Sequence, residues 1–302
     1  MNTTANSALQ TADRQTPAIL ITGATGSIGT ELTKTLSERG IRFRAMVRSP
    51  KDAQTVAQLA GADVVLGDFN DPVTIAHALR GIERAFLLTN SSDQAENQQL
   101  NFVAEAQRAG LKQIVKLSQF AAAPDSPVRF LRYHAVVEQA IRESGMDFTF
   151  LRPNLFMQGL LGFRSSIIEQ GKFFAAVGDA RISLVDVRDI AAVGAEVLVE
   201  PGHVGKIYTL TGPQALTHVE IADELSIALG RRITFVDVPP AAMRNALAGV
   251  GFPDWQADGL IEDYAHYSRN EASSVEPGVE AATGKMPRSF TDFARDYAPA
   301  FN

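Results

Sequence analysis

Hydrophobic and polar positions along the chain fall into two repeating kinds of block. Short apolar runs of strand length recur at Ala18–Ile21, Arg42–Val47, Asp63–Leu66, Arg84–Leu88, Gln113–Leu117 and Asp147–Leu151. Between them lie stretches with helical patterning: Ile28, Leu32 and Leu36 after the first run, then Lys51–Leu59, Pro72–Leu79, Gln94–Ala109 and Arg129–Glu143. A short apolar run bounded by turns predicts a buried strand, and a spacing of three to four predicts a helix with one face on a core. Strands and helices alternating at this interval predict a Rossmann-like α/β fold, a doubly wound parallel sheet with helices on both faces. In such sheets ligands bind beyond the carboxyl ends of the strands.

The alternation loosens after the sixth run. Pro153–Gly171, rich in Phe, Leu, Met and Gly, predicts loop and helix over a pocket. Arg181–Val185 predicts a short strand leading to a helix at Ile190–Leu198, with Asp189 as its N-cap. Lys206–Leu210 predicts a strand and Thr217–Leu229 a helix opened by a capping box from Thr217 to Glu220, while Arg232–Val236 precedes Pro239-Pro240. The division that follows is a Rossmann domain of residues 17–152 plus 181–214, and a smaller C-terminal α/β subdomain of 153–180 plus 215–302. A substrate pocket is expected in the cleft between them. Residues 1–16 are polar, have no periodic apolar face and predict a disordered leader.

Composition narrows the function. Of 302 residues, 45% are hydrophobic and 21% charged, the balance of a globular chain. The net charge of −6 with scattered basic residues gives no electrostatic footprint for nucleic acid. The absence of cysteine excludes disulfides, thiolate metal ligands and a catalytic thiol, and the five histidines lack ligand spacing, so no metal is expected. No run approaches the roughly 18 apolar residues of a membrane span, and no secretory h-region opens the chain. A cytoplasmic protein without a membrane partner is expected.

The chemistry concentrates after the first strand. Gly23, Gly26 and Gly29, spaced three apart between strand and helix, suit a turn whose backbone approaches a pyrophosphate. Thr25, Gly26, Ser27 and Ile28 are then expected against a dinucleotide. Arg48 follows the second strand, where NAD-specific sites carry Asp or Glu; its charge, aided by Lys51, suits a 2′-phosphate and favours NADP(H) over NAD(H). After the third strand, Asp68 is placed to accept from an adenine amine and Phe69 to cover the base, with an ordinary Asx turn as the alternative for Asp68.

The ordered set GATGSIG, Val47–Ser49, Gly67–Phe69, Lys116–Ser118, His134 with Glu138, Leu151–Gln158 and Val185–Val193 resembles the NmrA-like branch of the atypical short-chain dehydrogenase/reductases. That resemblance covers Pro17 to Pro240. It implies either an NADPH-dependent reductase of a quinone-like or conjugated aromatic acceptor, or a non-catalytic redox sensor that binds NADP(H) without turning it over. In the superfamily register, Phe130 stands where the proton-donating tyrosine is expected and His134 where the lysine is. Phenylalanine cannot protonate an alkoxide, which disfavours alcohol dehydrogenation and sugar-nucleotide epimerisation. The resemblance implies Ser118 and His134 as catalytic candidates that also touch the cofactor, with Tyr133 as a substitute proton donor. Thr89 joins the cofactor set, and Pro153, Asn154 and Phe156 are expected at the nicotinamide end. Phe120, Phe163, Phe174 and Trp255 are candidates for an acceptor pocket. A small aromatic substrate is the expected partner, and a homodimer stays open.

Overall fold

The computed structural model describes residues 18–302, so the expected leader at 1–16 lies outside the described residues. Five βα repeats and a sixth strand come first among the described residues: β1 (Ile19–Ile21), α1 (Ser27–Glu38), β2 (Phe43–Val47), α2 (Pro50–Val56), β3 (Ala62–Leu66), α3 (Pro72–Ala78), β4 (Arg84–Leu87), α4 (Ala95–Arg108), β5 (Gln113–Leu117), α5 (Arg129–Glu143) and β6 (Asp147–Pro153). After a 3-10 turn come α6 (Arg164–Gln170), β7 (Lys172–Ala175), α7 (Val187–Val199), β8 (Lys206–Leu210), α8 (His218–Leu229) and β9 (Thr234–Asp237). Helices α9 (Pro240–Gly249), α10 (Asp254–Ser268), α11 (Gly278–Thr283) and α12 (Phe290–Tyr297) follow.

The main sheet has seven parallel strands in the order β3-β2-β1-β4-β5-β6-β8. Its strand order reverses between β1 and β4, the switch point where doubly wound sheets open a ligand crevice. Strand β5 is buried along its whole length, as expected for a strand covered on both faces. One apolar core, including Leu32, Phe86, Ile190 and Val193, lies against α1 and α7; the other, including Phe102, Val137, Ile141 and Phe150, lies against α4 and α5. A third core gathers Met157, Phe173, Ile221, Phe293 and Phe301 around the separate two-stranded parallel sheet of β7 and β9. Residues 278–283 cross the expected division of the chain, because Val279 and Ala282 pack into the core beneath α7. No helix among the described residues is long and apolar enough to cross a membrane.

Two local expectations are corrected. Arg181–Val185 forms no strand; it makes isolated bridges through Ile182 to Leu216 and Val185 to Phe156. Ile182 and Leu184 alternate inward because they fill the third core, which reproduces a strand's pattern without a ladder. Asp189 is not the N-cap of α7. The helix begins earlier, with extended Asp186 accepting from the Arg188 N–H at 2.8 Å. Asp189 instead receives the Arg288 backbone N–H at 2.7 Å and pairs with the Arg288 guanidinium. The capping box of α8 forms as expected.

Candidate active site

The turn after β1 is built by close approach. Gly23 has φ +63°, and a Cβ there would sit 2.8 Å from Leu88 Cγ. A Cβ on Gly29 would collide with the Gly23 carbonyl oxygen, so only glycine lets α1 start against the turn. At Gly26 the surroundings differ: the nearest atom to an added Cβ is Gly23 O at 3.5 Å, with open space beyond. Gly26 is the N-cap of α1 and makes no side-chain cap, which leaves the first N–H groups of the helix for a ligand. Thr25, Gly26 and Ser27 are exposed. Ile28 is buried in the core, so it offers only its backbone N–H. This cradle fits a pyrophosphate.

Arg48 lies exposed just past β2 and forms no ion pair among the described residues. Ser49 beside it caps α2 by accepting from the Asp52 N–H at 3.2 Å. Asp68 makes the Asx turn, its carboxylate accepting from the Asn70 N–H at 2.9 Å. Phe69 leans on Phe102 with ring centroids 5.8 Å apart and stays half-buried. Thr89, past β4, has its hydroxyl oxygen bound by Gln99 Nε2 at 2.7 Å.

Beneath these groups lies a polar cluster that sequence reasoning only partly located. Lys116, in the apolar strand β5, is wholly buried, and its Nζ donates to Gln99 Oε1 at 2.7 Å and to Leu117 O at 3.0 Å. A third contact, of 2.9 Å, joins Nζ to His134 Nδ1. Burial pushes the lysine down to about 7, while Glu138 opposes the fall. Burial, reinforced by Lys116 and Arg152, holds His134 well below the ordinary histidine range, so the ring is neutral. With Nδ1 engaged by Lys116, Nε2 is the nitrogen left for a ligand. The signal for Lys116 was legible: a charged residue in the middle of the run QIVKL.

Ser118 is buried and donates its hydroxyl proton to Glu138 Oε1 at 2.6 Å, so toward a ligand it presents lone pairs rather than a proton. Burial alone would raise the Glu138 carboxyl; hydrogen bonds from Arg152 and Ser118 and the charges of Arg152 and Arg142 bring it below the usual range. Tyr133 stacks on His134 at 4.2 Å between centroids and meets Ser91 Oγ at 3.1 Å. Burial raises its phenol above the ordinary value. Phe130 is buried against Trp255 at 5.3 Å, and a Cβ on Gly259 would collide with its ring, so α10 closes directly over this face of α5. Gln119 reaches Asp263 on α10 at 2.9 Å, and burial lifts that carboxyl to about 7. Asp263 had no signal in the sequence.

The four aromatic pocket candidates do not gather. Trp255 joins Phe130 and Tyr133, whereas Phe120 and Phe163 pack against the third core. Phe174 lies on β7 between Phe173 and Ala175, which both enter that core, and so it takes the opposite face. Asn154 is buried with its amide N–H groups donated to Ser183 Oγ at 2.8 Å and Ala272 O at 2.9 Å. Its side chain therefore ties β6 to later segments instead of presenting an amide donor. Pro153 ends β6 buried, its carbonyl accepting from the Phe120 N–H at 2.9 Å, and Phe156 follows half-buried at the edge of the first core.

A parallel sheet reversing beside a glycine turn that frees a helix N-terminus defines a Rossmann-type α/β protein. The chain belongs to the NmrA-like family, whose model matches residues 15–295. It is 36% identical over 283 residues to an NAD(P)H azoreductase of Xenophilus azovorans, covering 94% of this chain and 99% of that protein. Among solved structures it is similar to an NADPH-dependent quinone oxidoreductase from Escherichia coli complexed with NADPH, with TM-score 0.83, 30% identity and coverage of 92% of this chain and 99% of the other. It is also similar to the Citrobacter sp. triphenylmethane reductase complexed with NADP(H), with TM-score 0.82, 27% identity and coverage of 93% and 99%.

Proposed function

We propose that this protein is an NADPH-dependent oxidoreductase that reduces a quinone-like or conjugated aromatic acceptor, azo and triphenylmethane dyes included, without a tyrosine–lysine acid/base pair. The observation that carries this reading is the site on β5 and α5: Phe130, set in the tyrosine register by the family resemblance, is buried, and His134, kept neutral by burial, is held through Nδ1 with Nε2 left over. The azoreductase, quinone oxidoreductase and dye reductase named above support the substrate class.

The exposed Thr25–Ser27 turn and the first N–H groups of α1 hold the pyrophosphate. Arg48 binds the 2′-phosphate, Asp68 and Phe69 flank the adenine, and Thr89, Pro153 and Phe156 border the nicotinamide. When bound, the reduced dinucleotide supplies a hydride. A quinone becomes an aromatic hydroquinone on reduction and a cationic dye a neutral leuco compound, so the chain's main tasks are to hold the acceptor close, exclude water and, where the product needs one, deliver a proton. Ser118 accepts a hydrogen bond, His134 handles the proton, and Tyr133 with Trp255 forms an aromatic wall.

The test is NADPH absorbance with benzoquinone, naphthoquinone, a triphenylmethane dye and an azo dye, alongside binding of NADPH and NADP⁺. Consumption with any acceptor supports the reading. Equal binding of both redox states with no consumption by the whole panel overturns it in favour of a sensor.

A further inference from the structure

We infer that Lys116 is a positioning residue whose proton selects the tautomer of His134, and thereby whether Nε2 of that ring gives or accepts a hydrogen bond. The inference rests on the proposed reductase reading for its catalytic consequence, but the coupling itself follows from hydrogen-bond counting around one buried nitrogen.

Nζ of Lys116 has three polar neighbours within 3.0 Å: Gln99 Oε1, Leu117 O and His134 Nδ1. The first two only accept; the Gln99 amide is oriented by donation of its own Nε2 to Thr89 Oγ1 at 2.7 Å. Two lysine N–H bonds point to those acceptors in either protonation state. As an ammonium, Lys116 points its third N–H at Nδ1, which must then be bare, and the ring proton sits on Nε2. As an amine, it turns its lone pair to Nδ1, which must then carry the proton, and Nε2 becomes an acceptor. Of the other charged and titratable groups around this pair, Glu138 on α5 is ion-paired with Arg152 on β6 and with Arg142, and burial keeps Tyr133 protonated. Asp263, lifted by burial to about 7, titrates in the same range, but it is bonded by Gln119 and to neither member of the pair. The lysine's own value of about 7 places the exchange at neutrality.

The coupling makes a proton relay. A quinone or azo acceptor that has gained a hydride carries a negative charge on oxygen or nitrogen. The Nε2–H bond breaks and its proton forms the new O–H or N–H bond; an Nζ–H bond breaks and its proton forms Nδ1–H. The imidazole stays neutral throughout, and Lys116 ends as an amine that regains a proton from bulk water by the reverse route once product has left. A reduced azo nitrogen is far more basic than a hydroquinone oxygen, so azo reduction depends on the relay more strongly.

The test is ¹⁵N NMR of histidine-labelled full-length protein across about pH 5.5 to 9, with His134 identified by its loss in His134→Gln. The expected result is a neutral His134 ring that passes from Nε2–H to Nδ1–H as pH rises, and a Lys116→Met ring that ignores pH. A single tautomer across the range in the parent protein, or an imidazolium, overturns the inference, and this readout stands even if Lys116→Met does not fold. In the folded variant, kcat with an azo dye should fall about a hundredfold and with benzoquinone much less, with the KM for NADPH retained. Equal losses with both acceptors overturn the relay. If no acceptor consumes NADPH, the reductase reading fails while the titration still decides the lysine–histidine coupling.

Discussion

Glu138 on α5 and Arg152 on β6 are joined by two parallel hydrogen bonds, 2.8 Å from Nε to Oε1 and 2.6 Å from Nη2 to Oε2, with the carboxylate side chain fully buried. Ser118 and Arg142 complete the shell around the same carboxylate. Four hydrogen bonds offset the cost of removing the charge from water, and they fix α5 against the end of β5 where Ser118 sits.

Removing the carboxylate should therefore cost far more than removing a peripheral partner. Glu138→Ala leaves Arg152 beside a void, and chemical denaturation should show a loss of about 3 to 5 kcal/mol. Arg142→Ala, whose side chain is one-third exposed, should cost under about 1 kcal/mol. Similar losses in the two variants would contradict this account.

The glycines of the first turn should separate by phenotype. Gly29→Ala drives a methyl into the Gly23 carbonyl and should destabilise the fold by a few kcal/mol. Gly26→Ala meets open space, so its melting temperature should stay near the parent's while NADPH binding weakens. Calorimetry paired with fluorescence titration distinguishes them; unaltered NADPH affinity in folded Gly26→Ala would count against the pyrophosphate cradle.

Arg48→Ala should weaken NADPH binding about tenfold or more and leave NADH nearly unchanged, because a charge-assisted hydrogen bond is removed from the phosphate alone. Arg48→Asp should reverse the preference. Equal losses for both dinucleotides would remove Arg48 from the 2′-phosphate site.

Two buried groups should shape stability against pH in opposite directions. Folded Asp263 keeps its proton to about 7 where the unfolded side chain loses it at 3.8, so its contribution falls as pH rises through that window. Folded Lys116 loses its proton at about 7 where the unfolded chain keeps it to 10.5, so its contribution rises with pH from there. Urea denaturation should find Asp263→Asn without the falling limb and Lys116→Met without the rising one. A parent profile flat from mildly acidic to alkaline pH would refute both assignments.

Local spacing determined much of this protein. The run Ile19–Ile21, the glycines after it and the periodicity of α1 are neighbours in the chain, so the first βα turn and the parallel sheet were legible, as was the Thr217–Glu220 cap. Pattern alone failed where two local solutions were close to equal. Asp186 and Asp189 both suit a helix start, and the choice fell to Asp186 because Arg288, 99 residues beyond Asp189, claims the latter. Ile182 and Leu184 alternate like a strand because a core fills one side of them. Tertiary structure alone decided the polar site: Lys116 meets His134 across 18 positions, and Gln119 meets Asp263 across 144. Backbone periodicity records which face of an element is buried, but it says nothing about which buried side chain lies opposite. That depends on how β5, α5 and α10 pack, and it sets the partners, protons and lone pairs of the site.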